Sequence, residues 1–129
     1  MGRVAGGRQV AILAIDDDKL ILGLIKKTME SAGYTVHTAS SPREGIEFYE
    51  AKWREISAVL LDFTMPEMTG DLVFESLKHI NPNVRAILIT TDHESVAEKM
   101  FAKGLRGYLQ KPFTFGDLLQ QVSEAIDAP

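Results

Sequence analysis

A short apolar run that ends in an acid constrains this chain most. The run Ala58–Leu61 passes directly into Asp62, and a turn rich in threonine, methionine, proline and glycine follows at residues 63–70. An unbroken apolar run between turn residues is typical of a strand buried on both faces of a parallel sheet. Asp62 then lies where a buried strand ends, at the edge where ligands bind in open α/β folds. By itself, this aspartate is better explained as a turn residue or a helix cap than as a functional residue.

Short apolar runs and helical patterns alternate along the rest of the chain. Strands are predicted at residues 10–15, 34–39, 58–62, 84–90 and 107–110. Helices are predicted at residues 19–32, from 42 onward, at 71–80, at 94–103 and from 114 onward. Ser41 and Thr114 are the predicted N-caps of the second and the last helix. The first helix is supported by apolar residues at helical spacing, among them Ile21, Leu24 and Ile25. Five strands alternating with five helices predict an α/β fold, a parallel sheet whose two faces are both covered by helices.

Composition narrows the class of protein. The chain has 129 residues, no cysteine and a formal net charge of −4. The length suits one domain, and the missing cysteine excludes disulfides and thiolate chemistry. Neither the net charge nor the apolar runs point to direct nucleic-acid binding or to a membrane segment. We expect residues 1–9 to be a flexible tail and residues 10–128 to be the domain.

Polar residues follow four of the predicted strands and meet at one edge of the sheet. They are Asp16, Asp17, Asp62, Thr90 and Lys111. Three carboxylates in one cleft repel one another, which raises the pKa of some of them and favours a hard divalent cation such as Mg²⁺. A lysine and a hydroxyl beside them suit phosphoryl oxygens, so the set predicts phosphoryl transfer with a carboxylate nucleophile. The chain has no Gly-x-x-x-x-Gly-Lys loop, so the phosphoryl group must come from a donor elsewhere.

These residues stand in motifs that identify a family. The motifs are Ile15–Asp18 (IDDD), Leu61–Gly70 (LDFTMPEMTG), Ile89–Thr91 (ITT) and Gln110–Phe113 (QKPF). In order and spacing they resemble the receiver domain of two-component response regulators, over about residues 10–127. The resemblance implies a flavodoxin-like, doubly wound sheet of five parallel strands in the order 2-1-3-4-5, with five helices. It also implies a cis peptide bond between Lys111 and Pro112.

The resemblance assigns a role to each matched residue. Asp62 corresponds to the phosphoacceptor. The residues corresponding to the Mg²⁺ site are Asp17 as a direct ligand, Asp16 through water, Asp62, and Thr64 through its backbone carbonyl. Lys111 corresponds to the family's lysine, Thr90 to the switch hydroxyl, and Tyr108 to the aromatic switch. Asp18 is better explained as the N-cap of the first helix than as a metal ligand.

The implied function is signalling. The domain would take a phosphoryl group from a sensor histidine kinase or a phosphotransfer protein onto Asp62 and change the face made by helix four, strand five and helix five. It would catalyse only its own phosphorylation and dephosphorylation, act on an output protein or domain that the sequence does not name, and be cytoplasmic. Homodimer formation on phosphorylation is left open. The segments 64–71 and 104–109 look most like receivers attached to sensor histidine kinases. Separately, no output domain follows residue 129 of the sequence, so we expect either a stand-alone or an excised receiver.

Two other functions and one departure from the family pattern are weighed against this interpretation. A phosphohydrolase of the haloacid-dehalogenase type also uses an Asp nucleophile with Mg²⁺, but it needs an acid two residues later, where this chain has Thr64. A degenerate receiver that only binds partners is disfavoured by the intact set of polar residues. The segment 90–104 is one residue shorter than the common pattern, so we expect a different loop before helix four.

Overall fold

The computed structural model describes residues 4–5, 8–91 and 94–127, with side chains described for 10–91 and 96–127. Its centre is a sheet of five parallel strands in the order β2-β1-β3-β4-β5. The strands are β1 (Ala11–Ile15), β2 (Thr35–Ala39), β3 (Ala58–Asp62), β4 (Ala86–Thr90) and β5 (Gly107–Gln110). The helices of the described part are α1 (Lys19–Ser31), α2 (Pro42–Lys52), α3 (Gly70–Ile80), α4 (Glu94–Phe101) and α5 (Phe115–Asp127), with a 3₁₀ turn at Trp53–Glu55. The predicted fold class and strand order are confirmed.

The sheet is buried on both faces. Along β1, Ile12 and Ala14 belong to one apolar cluster, whereas Leu13 and Ile15 belong to the other. The first cluster is closed by residues of α1 and α5, and the second by residues of α2, α3 and α4. Because successive strand residues point to opposite faces, a strand covered on both sides must be apolar throughout. This is why the strands read as unbroken apolar runs in the sequence.

Three helices begin with side-chain caps that the sequence predicts. The Asp18 carboxylate accepts hydrogen bonds from the amides of Leu20 and Ile21, at 3.0 and 3.3 Å. The Ser41 hydroxyl accepts from the Glu44 amide at the start of α2. At α5, the Thr114 hydroxyl accepts from the Asp117 amide while Asp117 accepts from the Thr114 amide. Each cap begins a helix shortly after a strand ends, so the connections at the site edge are short.

Other sequence predictions needed correction in detail. Helix α4 ends at Phe101 instead of Lys103, and a turn leads to Gly104, whose φ of 109° suits glycine. On α1 the core-facing residues are Leu22, Ile25 and Met29, while Leu24 is 43% exposed. The α1 helix is apolar beyond its core face, so periodicity alone did not separate buried from exposed leucines.

The N-terminal segment contains a short strand pair. Val4–Ala5 pairs antiparallel with Arg8–Gln9, directly before β1. That the whole segment 1–9 is flexible stays a prediction. The predicted change in the loop before α4 falls on residues 92–93, which lie outside the described residues. No helix in the described ranges is long and apolar enough to cross a membrane.

Arg85 closes the end of the fold that lies away from the predicted site. It stands just before β4, and its Nη1 atom donates to the carbonyls of Ala125 and Ile126 in the last turn of α5, at 2.8 and 2.5 Å. The last turn of α5 carries no basic residue of its own. A cation at a helix C-terminus satisfies free carbonyls and opposes the helix dipole. From its place just before β4, Arg85 therefore supplies the positive charge that the last turn of α5 lacks.

We expect Arg85→Met to lower the free energy of unfolding by about 1–2 kcal/mol, because charged hydrogen bonds to the α5 carbonyls are lost while most of the aliphatic stem is kept. Urea denaturation measures the change. Arg43→Met is the matched control, since the pair of Arg43 with Glu47 is exposed on both sides and should contribute less than about 0.5 kcal/mol. Equal losses in the two variants would contradict the role given to Arg85.

Candidate active site

Four strand ends bring the predicted site residues to one edge of the sheet. Asp16 follows β1, Asp62 is the last residue of β3, Thr90 is the last residue of β4, and Lys111 follows β5. The strands are parallel and in register, with Asp62 opposite Ile89 and Thr90 opposite Gln110. Carboxyl ends of neighbouring parallel strands must lie side by side, so residues distant in sequence converge there.

Three carboxylates form the acidic part of the site. Oxygen atoms of Asp16, Asp17 and Asp62 all lie within 4.8 Å of one another. Asp16 and Asp62 are buried, whereas Asp17 is exposed. One Asp16 oxygen accepts the Asp18 amide at 2.9 Å. The cluster therefore has an open side at Asp17 and a closed side at the sheet.

Lys111 is the cation that faces these acids. Its Nζ lies 3.0 Å from Asp62 Oδ1 and 3.6 Å from Asp16 Oδ2. Its backbone amide donates to the Thr90 carbonyl at 2.8 Å, and the bond from Lys111 to Pro112 is cis, as predicted. The lysine is thus held to the end of β4 through its backbone while its side chain enters the cleft. One ammonium stands against three carboxylates.

Burial controls the protonation of the site. Desolvation raises the pKa of Asp62 to about 6, since it outweighs the lowering effect of the Lys111 hydrogen bond, and the charge of Asp16 adds to the rise. Burial also raises the pKa of Asp16, against the hydrogen bond from Asp18 and the charge of Lys111. For Lys111, burial lowers the pKa, but the hydrogen bond to Asp62 and the charges of both acids outweigh it and leave the pKa raised. The predicted rise of the carboxylate pKa is present, but its first cause is burial and repulsion comes second.

The donor atoms of the cluster suit a hard divalent cation. All the side-chain ligands are carboxylate oxygens, and Mg²⁺ prefers oxygen ligands and binds through one or two carboxylates. Among the described residues, Asp16 Oδ2 is one of two buried side-chain polar atoms without a hydrogen-bond partner. It lies on the side of the cleft that faces Lys111, at a distance longer than a hydrogen bond. The chain thus offers a buried, under-satisfied oxygen where a cation would bind.

The remaining predicted residues lie around this cluster. Thr90 is buried at the end of β4, one residue beyond the partner of Asp62. Tyr108 lies on β5, half-buried, and its amide donates to Gln121 Oε1 of α5 at 3.2 Å. Thr64 follows Asp62 by two residues and exposes its side chain. The structure gathers the carboxylates of Asp16, Asp17 and Asp62 and places Lys111 beside Asp16 and Asp62. The switch roles and the Thr64 carbonyl stay predictions.

Sequence reasoning assigned no role to Gly70, although it contacts the backbone at the end of β3. It is buried, it is the first residue of α3, and its amide donates to the Phe63 carbonyl at 2.7 Å. The predicted helix began one residue later, at Asp71. Glycine is favoured after the end of a helix more than at its first position. The available signal was a glycine at the start of a helix that follows, eight residues later, an acid at the end of a strand.

Comparison with known proteins agrees with this geometry. The sequence profile of the response regulator receiver domain matches residues 12–123. The chain belongs to the response regulator receiver domain family. Receiver domains are signalling modules, and the acidic cluster is of the kind found in them. The predicted family is therefore confirmed.

Individual relatives resemble the chain over nearly its whole length. It is 32% identical to the sensor kinase CckA of Brucella abortus over 94% of the chain, and 26% identical to the chemotaxis protein CheY of Treponema pallidum over 97%. It spans 13% of the CckA sequence and 88% of the CheY sequence. A receiver domain protein of Clostridium thermocellum superposes with a TM-score of 0.87 at 34% identity, covering 92% of this chain and 94% of the other.

The raised pKa of Asp62 predicts a stability gain when this acid is neutralised. Its folded pKa of about 6 lies above the ordinary 3.8, so the folded receiver loses stability as pH rises between these values, and the loss is complete above the higher one. At neutral pH in chelator, Asp62→Asn should be more stable than wild type by on the order of 1 kcal/mol. The gain should vanish below the ordinary pKa.

Thermal melts of both proteins across this pH range measure the effect. Glu50→Gln, which neutralises an exposed acid of α2, is the control and should change little. If Asp62→Asn melts below wild type at neutral pH, burial of this carboxylate is not a net cost to the fold.

Proposed function

We propose that this receiver accepts a phosphoryl group on Asp62 from a phosphohistidine of a sensor histidine kinase or a phosphotransfer protein, in a Mg²⁺-dependent reaction. The observation that carries the proposal is the contact of Lys111 Nζ with Asp62 Oδ1 at 3.0 Å beside Asp16 and Asp17. This arrangement supports a carboxylate nucleophile with a cation already aimed at the group it would receive. Mg²⁺, held by Asp16, Asp17, Asp62 and the Thr64 carbonyl, would supply positive charge to oppose that of the transferring group.

Asp62 and Lys111 have separate roles in the proposed reaction. The free Asp62 oxygen attacks phosphorus, and the bond from phosphorus to the donor nitrogen breaks. The donor imidazole keeps the electron pair of that bond. Lys111 is the compact point charge that can follow a phosphoryl oxygen as it develops negative charge. The buried apolar residues of the neighbouring strands exclude water on the sheet side of the cleft, which strengthens these electrostatic contacts.

An apolar groove beside Lys111 supports a protein as the donor. The groove measures about 430 Å³ and runs between α1 and the start of α5. Its lining consists of Ile21, Leu24, Ile25, Thr91, Lys111, Pro112, Phe113 and Phe115. Leu24 and Phe115 expose 43% and 41% of their surface, and Leu20 on the same helix exposes 72%. Exposed apolar groups gathered next to a reactive site are typical of protein docking, and a partner seated here would lie directly against the residue that faces Asp62.

The output of the proposed reaction lies at the other side of the site. Phosphate on Asp62 would attract the hydroxyl of Thr90 and repack Tyr108 on the neighbouring strand. A cavity of about 310 Å³ lies between α4, β5 and α5, and it is lined by Ala97, Glu98, Phe101, Arg106, Gly107, Tyr108 and Gln121. This space supports a change of the α4–β5–α5 face as the signal to an output protein or domain. A cytoplasmic location and the absence of direct nucleic-acid or membrane binding belong to the same proposal, which leaves homodimer formation on phosphorylation open.

Incubation with acetyl phosphate and Mg²⁺, followed by intact mass, tests the proposal. Wild type should gain a single phosphate, Asp62→Asn should gain none because an amide is not a nucleophile of this kind, and Asp71→Asn should behave as wild type. Transfer from a phosphorylated histidine kinase then tests the donor. Release of many equivalents of free phosphate would instead indicate a phosphohydrolase, and no adduct on wild type would indicate a binding module only.

A further inference from the structure

The first residue of α3 touches the backbone that carries Asp62. A Cβ built on Gly70 would lie 2.8 Å from the Asp62 carbonyl oxygen and 2.8 Å from Phe63 Cα. The Gly70 amide donates to the Phe63 carbonyl at 2.7 Å. Real Cβ atoms do not approach backbone this closely, so the start of α3 and the end of β3 fit together only because residue 70 has no side chain.

The end of β3 has little freedom to move away. On its other side Asp62 pairs with Ile89 of β4, and the Phe63 amide donates to the Ile89 carbonyl at 2.9 Å. The Leu88 side chain would also lie 3.3 Å from a Cβ at position 70. A residue larger than glycine must therefore displace either the α3 start or the strand end itself.

The other glycines show that this contact differs in kind. A Cβ at Gly23 would meet nothing within 4 Å, and at Gly116 it would meet only the Thr114 hydroxyl at 3.7 Å. At Gly45 and Gly107 the close atoms belong to side chains, such as Gln121 Oε1 at 2.6 Å from the Gly107 Cβ. The end of the Gln121 side chain can swing aside, whereas the backbone of a central strand cannot.

We propose that Gly70 is a positioning residue for the phosphoryl-accepting site. Because it has no side chain, the start of α3 can pack against the Asp62–Phe63 backbone. This packing fixes the position from which the Asp62 carboxylate reaches Asp16, Asp17 and Lys111. The proposal rests on the proposed function of Asp62. Because Thr64 follows on the same backbone, a displaced strand end would move two predicted cation ligands together.

The expected effect follows from the size of the displacement. Removing the overlap needs a shift on the order of half an ångström, and reactive groups must be held to about that tolerance. A misplacement of about 1 Å can cost a hundredfold in rate, so we expect a loss of about tenfold. Mg²⁺ affinity of the unphosphorylated protein should also fall, since the carboxylates no longer converge.

The test compares Gly70→Ala with two matched glycine-to-alanine variants. Gly107→Ala introduces a close contact with side chains away from Asp62, and Gly23→Ala introduces none. Three quantities are measured for each: the urea midpoint, the Mg²⁺ dissociation constant by calorimetry, and the rate of labelling by acetyl phosphate as a function of its concentration. Gly70→Ala should bind Mg²⁺ more weakly and show a lower maximal rate, whereas Gly107→Ala should lose stability with both site properties unchanged.

Two outcomes overturn the proposal. The first is a Gly70→Ala protein that matches Gly107→Ala in Mg²⁺ affinity and maximal rate. If Gly70→Ala does not fold, a backbone ester at position 70 replaces it, because the ester removes the hydrogen bond to Phe63 without adding a side chain. Unchanged Mg²⁺ affinity in the ester protein is the second outcome that overturns the proposal. If wild type accepts no phosphate, the function proposed for Asp62 fails, but the Mg²⁺ comparison still decides the role of Gly70.

Discussion

The receiver site depends on one partly buried ion pair, the contact of the Lys111 ammonium with the Asp62 carboxylate at 3.0 Å. Burial works against the charged form of both partners, and their attraction offsets part of that cost. The balance remains unfavourable for the acids, since Asp62 and Asp16 both keep a raised pKa. A site with excess buried negative charge and an open side at Asp17 is suited to a divalent cation, which would complete its electrostatics.

The fold explains why such a costly arrangement forms at all. Helices cover both faces of the sheet, so the last residue of a central strand is enclosed even when it is an acid. Parallel strands place all such residues at one edge of the sheet. Short connections that end in helix caps restrict the backbone next to these residues. Apolar burial elsewhere in the sheet holds the acids together, and buried carboxylates replace apolar residues at this edge, as is usual at functional sites.

Much of this could be predicted from the sequence, because strands and site signals are local patterns. The run Ala58–Leu61, the caps at Asp18 and Thr114, and the order of Asp16, Asp62 and Lys111 along the chain each depend on neighbouring residues. The rest depends on how elements pack. Leu22 is buried and Leu24 is exposed because α1 presents an apolar surface wider than its contact with the sheet. The close approach of Gly70 to Asp62, and the priority of burial over repulsion in the pKa of Asp62, require three-dimensional distances that no spacing in the sequence contains.

The protonation of Asp62 reports directly on the balance between burial and the Lys111 contact. Carboxyl ¹³C NMR of aspartate-labelled protein, titrated with acid in chelator and again with Mg²⁺, follows this group alone once it is assigned by loss of its signal in Asp62→Asn. A buried acid that is only partly neutralised by Lys111 should titrate with a pKa of about 6 in chelator, and its pKa should fall when Mg²⁺ is added. An Asp62 pKa at the ordinary 3.8, unchanged by Mg²⁺, would contradict the account.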